Sequence, residues 1–367
     1  MSKRTFSIAK TTRPFPAAAA TSRMVEGLEE RRMMSVSPAS IPNAAANDTV
    51  FDAANATLHA IYYDTATKSL MYQGFNEDGT QSAAQTVDNS GDTGQYLSLA
   101  QDANGVLHAA YYDVNNGDLK YARRDLAGAW SNSTIDSKNT VGLYPSVAID
   151  ADGLPAISYY FKNTGDLKFA KFNGATWDAS MVASTNDVGR YPSLALNPAN
   201  NQLAMGFEDT TLGHFMYAEQ TGAAWAVSTV DSATRGGGGY ISMNFNGGLP
   251  AMSYYDSYNA DLKYAERSSR GKWTATTVAA KNSQGLYTDL AFTFDTDQPA
   301  IVYYNKTQDS AVLAYRLPDG AWNFETQLTG GGRNLTAVDG PSLNGQAPDL
   351  FLVWSDSATN GLKVQTF

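Results

Sequence analysis

Apolar and polar residues alternate along most of this chain with a period of two. The clearest stretch runs from 142 to 187. Residues 144–150 alternate and predict a strand, A. Asp150-Ala151-Asp152-Gly153 is a tight-turn sequence. Residues 154–160 predict strand B, 162–166 a second turn, 167–172 strand C, Asn173-Gly174 a third turn, and 177–183 strand D. Four short strands joined by hairpin turns form one antiparallel sheet.

This unit recurs. Its marker is a tyrosine pair at Tyr62/Tyr63, Tyr111/Tyr112, Tyr159/Tyr160, Tyr254/Tyr255 and Tyr303/Tyr304, with divergent copies at Gly206/Phe207 and Val353/Trp354. Successive copies lie 47 to 50 residues apart. A period in the high forties with four strands per unit predicts a β-propeller, here of seven four-stranded antiparallel blades over residues 47–367. The other marks keep step. Strand C repeats as Asp118-Leu119-Lys120-Tyr121-Ala122, Asp166-Leu167-Lys168-Phe169-Ala170 and Asp261-Leu262-Lys263-Tyr264-Ala265, and strand D carries Trp130, Trp177, Trp225, Trp273 and Trp322. Blades pack face to face, so the tyrosine pairs and tryptophans are expected between them. The last unit ends after its third strand. A segment within 33–46 is therefore expected to supply the fourth and close the ring, since a bare sheet edge is a liability.

Composition narrows the function. The chain has 367 residues and a net charge of −10, which disfavours a phosphate backbone, so no nucleic-acid partner is expected. It has no cysteine, excluding disulfides, thiolate metal sites and a cysteine nucleophile. No apolar run reaches the roughly 18 residues of a membrane span. The oxygen-rich segments Asp113-Val114-Asn115-Asn116-Gly117-Asp118 and Asp150-Ala151-Asp152-Gly153 suggest calcium. They lack the twelve-residue loop and closing glutamate of a dedicated calcium site and read better as hairpin turns, so no cofactor is expected.

Strand order assigns the faces. The B–C and D–A loops share one face, where propellers usually bind ligands. That face receives Tyr96, Tyr144, Tyr191, Tyr240 and Tyr287 from the openings of strand A, and Asp64, Asp113 and Asp256 from the ends of strand B. Lys120, Lys168 and Lys263 open strand C, and Asp88, Asp136 and Asp231 close strand D. A ring of tyrosine, aspartate and lysine suits carbohydrate, because aromatic faces stack on a pyranose and carboxylates accept from its hydroxyls. The alternative is that aspartate and lysine pair across each B–C hairpin and fix the turn. Three arginines break the repeat: Arg190, Arg235 and Arg333, in three D–A loops. With Glu208, where the tyrosine pair gives way to Gly206/Phe207, they would form the site of an enzyme acting on an acidic sugar. No Gly-x-Ser-x-Gly elbow and no zinc spacing is present, and His59 and His108 occupy one repeat position, as structural residues do.

Residues 1–46 differ from the rest. Leu28-Glu29-Glu30-Arg31-Arg32-Met33-Met34-Ser35 resembles the N-terminal sorting motif of exported surface proteins of planctomycete-type bacteria, with methionine where that motif usually has leucine. The resemblance implies export to the cell surface or medium. The Tyr-Tyr-Asp and Asp-Leu-Lys-Tyr-Ala blocks, with a tryptophan after a glycine turn, resemble bacterial secreted propeller repeats, grouped with sialidase-like propellers and seven-bladed lectins. That likeness implies a lectin-like, carbohydrate-binding protein. The Ser-x-Asp-x-Gly-x-Thr-Trp turn of sialidases is absent. Three functions follow in order: a non-enzymatic binder of glycans or partner surface proteins, a glycoside hydrolase or lyase acting on an acidic polysaccharide, and a structural component of the cell surface.

Overall fold

The computed structural model describes residues 39–76, 80–232, 237–280, 283–292, 297–339, 350–356 and 361–366. The candidate sorting motif and Arg235 lie outside them. Every described regular element is a strand.

Six sheets are each one uninterrupted run of four antiparallel strands: sheet I over 44–88, II over 93–136, III over 141–183, IV over 188–231, V over 242–279 and VI over 284–329. A further four-stranded sheet, VII, is composite. It holds Arg333–Asp339, Leu350–Asp356 and Gly361–Thr366 from the end of the chain, and Ala39–Pro42 from its beginning. Ala39 pairs with Val364 and Pro42 with Gly361, so the strand expected within 33–46 lies on the open edge of the last unit. Each strand A packs on strand A of the next sheet around the ring, and those of VI and I both pack on VII. The chain is a β-propeller of four-stranded antiparallel blades.

In sheet III the strands are Val141–Ile149, Pro155–Phe161, Asp166–Phe172 and Trp177–Ala183. Strands B, C and D fall within a residue of the expected positions. Strand A starts three residues early because a bulge carries it past Tyr144: pairing jumps between Leu143 and Ser146. The tetrads also begin earlier than expected, since strand A of sheet I starts at Ala44.

Both faces of each sheet are covered, which explains the apolar runs on strand B. Tyr111, Tyr159 and Tyr254 are fully buried, and Tyr62 and Tyr303 nearly so. Strand D lies outermost, and its tryptophan turns inward onto the strand-C aromatic of the preceding sheet. The pairs are Trp130 on Tyr72, Trp177 on Tyr121, Trp225 on Phe169, Trp273 on Tyr217 and Trp322 on Tyr264, with ring centroids 4.9–5.6 Å apart. Each such aromatic removes roughly 150–250 Å² from water. His59 and His108 repeat one arrangement: Nδ1 meets the hydroxyl of Tyr72 or Tyr121, and Nε2 faces Asp52 or Asp102. Burial holds both imidazoles below their usual pKa, so they are neutral structural groups.

Candidate site on the loop face

Strand A opens on a glycine in sheets II, III, IV and VI: Gly94, Gly142, Gly189 and Gly285, with φ of 104°, 93°, 95° and 100°. The strand crosses closely over strand C of the preceding sheet here. A Cβ on Gly142 would stand 2.5 Å from the Leu119 Cα. The glycine and bulge then turn the next tyrosine toward the axis. Tyr96, Tyr144, Tyr191, Tyr240 and Tyr287 all take left-handed backbone, with φ of 49–51°. That conformation costs a non-glycine residue roughly 1–2 kcal/mol, so the same strain in five sheets must be offset by what the rings gain.

The rings meet in series. Centroids are 4.4 Å apart from Tyr96 to Tyr144, 4.3 Å from Tyr144 to Tyr191, 5.5 Å from Tyr191 to Tyr240 and 4.4 Å from Tyr240 to Tyr287. The five expected tyrosines thus form one continuous arc across sheets II to VI. Tyr96 is 41% exposed and the others are half-buried. Burial, then the neighbouring Tyr144, pushes the Tyr96 phenol up to about 12, and burial raises Tyr191 and Tyr240 as well. All three remain protonated donors at neutral pH. Matching registers put Ala46 in the tyrosine position of sheet I and Leu335 in that of sheet VII, where the arc ends.

The aspartates proposed beside them are directed elsewhere. Asp64 Oδ1 accepts the backbone N–H of Ala66 and Thr67, Asp113 Oδ1 those of Asn115 and Asn116, and Asp256 Oδ1 those of Tyr258 and Asn259. Each caps its own B–C turn. Asp150 caps its turn likewise, through Asp152 and Leu154. The oxygen-rich loops are therefore hairpin turns, with the second Asp150 oxygen paired to Lys171 at 2.6 Å. Among the described residues no three acidic or histidine side chains cluster around a metal position.

The lysines do not pair across the B–C hairpin; that expectation is corrected. Each reaches the strand-D aspartate of the preceding sheet: Lys120 pairs with Asp88, Lys168 with Asp136, and Lys263 with Asp231 at 2.8 Å. The first tyrosine of the pair donates to the same carboxylate, from Tyr111 at 2.7 Å, Tyr159 at 3.0 Å and Tyr254 at 2.7 Å. Strand A sits too far inward to intervene, so the lysine of one sheet meets the outer strand of its neighbour. These buried triads bolt sheet to sheet. Burial opposes the Asp88 charge, but the Lys120 and Tyr111 bonds prevail and hold it below the usual carboxylate range.

A second set of ties was not legible beforehand. Near the axis, a strand-A side chain accepts a backbone N–H from the next sheet. The pairs are Asp48 with Leu99, Ser98 with Val147, Ser146 with Leu194, Ser193 with Met243 and Ser242 with Leu290, at 2.7–3.2 Å. The serine recurring two residues after the strand-A tyrosine was the available signal. Burial, reinforced by the charge of Asp289, pushes Asp48 up to about 7 against its two backbone hydrogen bonds.

Of the four residues proposed for an enzyme, two can be placed in full. Glu208 is 3% exposed and stands opposite Arg190 in register. Its Oε1 accepts the Gly238 N–H at 3.0 Å. A Cβ on Gly237 would fall 1.5 Å from that oxygen and one on Gly239 2.2 Å from the Tyr191 ring, so only glycine lets this D–A segment lie over both. Burial pushes the Glu208 carboxyl up to about 7; the Gly238 bond and Arg190 pull it down, Asp187 and Asp209 raise it. Arg190 pairs with Asp187 at 2.8 Å and lies over the Tyr160 ring. Arg333 opens strand A of sheet VII opposite Ser355. Arg235 and the side chain of Arg333 lie outside the described residues, so the convergence expected of the three arginines is described only for Arg190.

No protein-family model matches the chain, and no curated protein matches its sequence. Solved structures do. The polysaccharide lyase Uly1 superposes with a TM-score of 0.54 at 10% identity over 89% of this chain and 90% of its own. A fucose-specific lectin from Aleuria aurantia gives 0.50 at 16% identity over 74% and 91%. The Hadza microbial sialidase Hz136 gives 0.52 at 13% identity over 84% and 73%. At such identities the shared property is the propeller fold.

Proposed function

We propose that this protein is an exported or cell-surface glycan-binding propeller whose ligand docks on the tyrosine arc of the loop face. One observation carries the reading. Five tyrosines hold strained backbone to form an uninterrupted aromatic track that ends at a solvent-exposed ring. Strain maintained at one position in five sheets is characteristic of functional surfaces. Such a track offers apolar faces to pyranose rings and phenol hydroxyls to their substituents. The fold is one that lectins and glycan-processing enzymes share. Export rests on the motif at 28–35. A glycan array with the wild-type chain and Tyr96→Ala and Tyr144→Ala variants tests the docking surface. Binding should weaken by about tenfold or more in each variant. Undiminished binding in both would remove the arc as the site.

Glu208 favours a second reading, catalysis on an acidic polysaccharide. A carboxyl held near neutrality beside a tyrosine and an arginine has the protonation balance of a general acid or base. Turnover of a chromogenic sialoside or uronide that disappears in Glu208→Gln would support it. Turnover that persists would exclude Glu208.

A further inference from the structure

The joint between sheets V and VI departs from the triad pattern in a directed way. Ala279 occupies the position of Asp231, since Leu262 pairs with Ala279 as Phe215 pairs with Asp231. Val312 occupies the position of Lys263, since it faces Tyr303 as Lys263 faces Tyr254. Both charges are gone and the tyrosine remains, its hydroxyl redirected to Gln284 Oε1 at 2.7 Å. The joint between III and IV also lacks the triad, but there Ala183, Met216 and Phe207 replace all three members and pack into one apolar cluster. Between V and VI, Ala279, Val312 and Tyr303 are likewise buried in one apolar cluster, and no lysine chain extends beyond it. A cavity of about 380 Å³ opens, lined by Ala279, Gln284, Tyr303, Asn305, Val312 and Phe324 among others. That volume falls within the roughly 300–1,000 Å³ of small-molecule sites.

We propose that this cavity is a separate subsite for a single neutral sugar residue. The lining chooses the class. It combines the edges of buried Ala279 and Val312, a 44% exposed aromatic ring at Phe324, and carboxamides already bonded within the lining, Gln284 to the Tyr303 phenol and Asn305 to Gln308, whose acceptor oxygens on Gln284 and Gln308 can take a second hydrogen bond from a ligand. An apolar wall facing carboxamides complements a pyranose, with one C–H face and a rim of hydroxyls. No described lining residue is charged, so a uronate, sialate or phosphate finds no counter-ion and a metal ion no carboxylate. The choice of a sugar rests on the glycan reading above; the place does not, because the cavity is lined by strand D of sheet V and by Gln284 and strands B, C and D of sheet VI, and by none of the arc tyrosines.

The test uses the full chain, calorimetric titration with methyl glycosides of neutral hexoses and of fucose, and with methyl glucuronide. The key variant is Ala279→Asp with Val312→Lys, which rebuilds the charged joint that sheets IV and V already hold and fills the cavity. Neutral glycosides should bind the wild type and lose about tenfold or more in this variant, while Tyr144→Ala leaves that binding step in place. Unchanged binding in the rebuilt joint, with loss in Tyr144→Ala, overturns the cavity and keeps the arc. Loss in the rebuilt joint with no effect of Tyr144→Ala keeps the cavity and overturns the arc. Preference for the glucuronide at the step the rebuilt joint removes, or no binding of any neutral glycoside, overturns the subsite. Should the double variant fail to fold, Val312→Met, which fills the space as Met216 does, replaces it with the same outcomes.

Discussion

The joint between sheets IV and V and the joint between V and VI share a backbone and differ inside. In the first, Lys263, Asp231 and Tyr254 form a buried charged triad that fixes the spacing of two sheets. In the second, Ala279, Val312 and Tyr303 pack as apolar side chains beside an open hollow. The charged version is rigid because each member is committed to another; a charge removed from water is tolerable only while partnered. The neutral version keeps the sheets together by apolar packing around Tyr303, Ile301 and Leu290, and its open volume costs little because no charge is stranded. The repeat thus supplies stability at the joints that retain the triad and freedom to evolve a site at those that do not.

The sharpest way to break this contrast is Lys263→Met. It leaves the buried Asp231 carboxylate without its lysine and should destabilise the protein by about 3–5 kcal/mol, read by denaturant unfolding. Next is Glu208→Gln, which separates a stranded charge from a partnered one. The folded pKa of Glu208 is raised, so its stabilising contribution is complete below the ordinary glutamate pKa near 4.5 and is lost as pH rises through about 7. Glutamine keeps the acceptor for Gly238 and removes the charge. The variant should match wild type at pH 4 and exceed it at pH 8 by on the order of 3 kcal/mol. A pH-independent difference would show that Glu208 is not the titrating group. Tyr254→Phe removes a hydrogen bond to a charged group and should cost about 1.5–3 kcal/mol, whereas Tyr303→Phe, which loses only a neutral bond to Gln284, should cost about 1 kcal/mol. Equal losses would erase the distinction between the joints. The smallest effect is expected of Val312→Met, within about 1 kcal/mol of wild type, because it fills a space without stranding a polar group.

The sheet was legible in the sequence because its signals are local. Alternation, Asp-Gly and Asn-Gly turns, and a tryptophan at one point per unit each act within a few residues. The faces followed from strand order alone, and so did the placement of Tyr96, Tyr144, Tyr191, Tyr240 and Tyr287 together. What escaped depends on partners one sheet away. Asp88 and Lys120 are 32 positions apart, and no turn rule links them. Asp113 and Asp256 looked like ligand-facing carboxylates because sequence shows the residue type and not the two backbone donors each one faces. Ala279 and Val312 carry no local signal, and their meaning needs the triad they replace. Glu208 was noticed as a break in the repeat; its covering by Gly237, Gly238 and Gly239 was not foreseen.

The composite sheet has a consequence for how the molecule is made. Ala39–Pro42 can find its partner only when Gly361–Thr366 exists, so the other six sheets can form while the ring is still open. Because loop-closure entropy grows only by about 0.6 kcal/mol per doubling of length, the delay is kinetic more than thermodynamic.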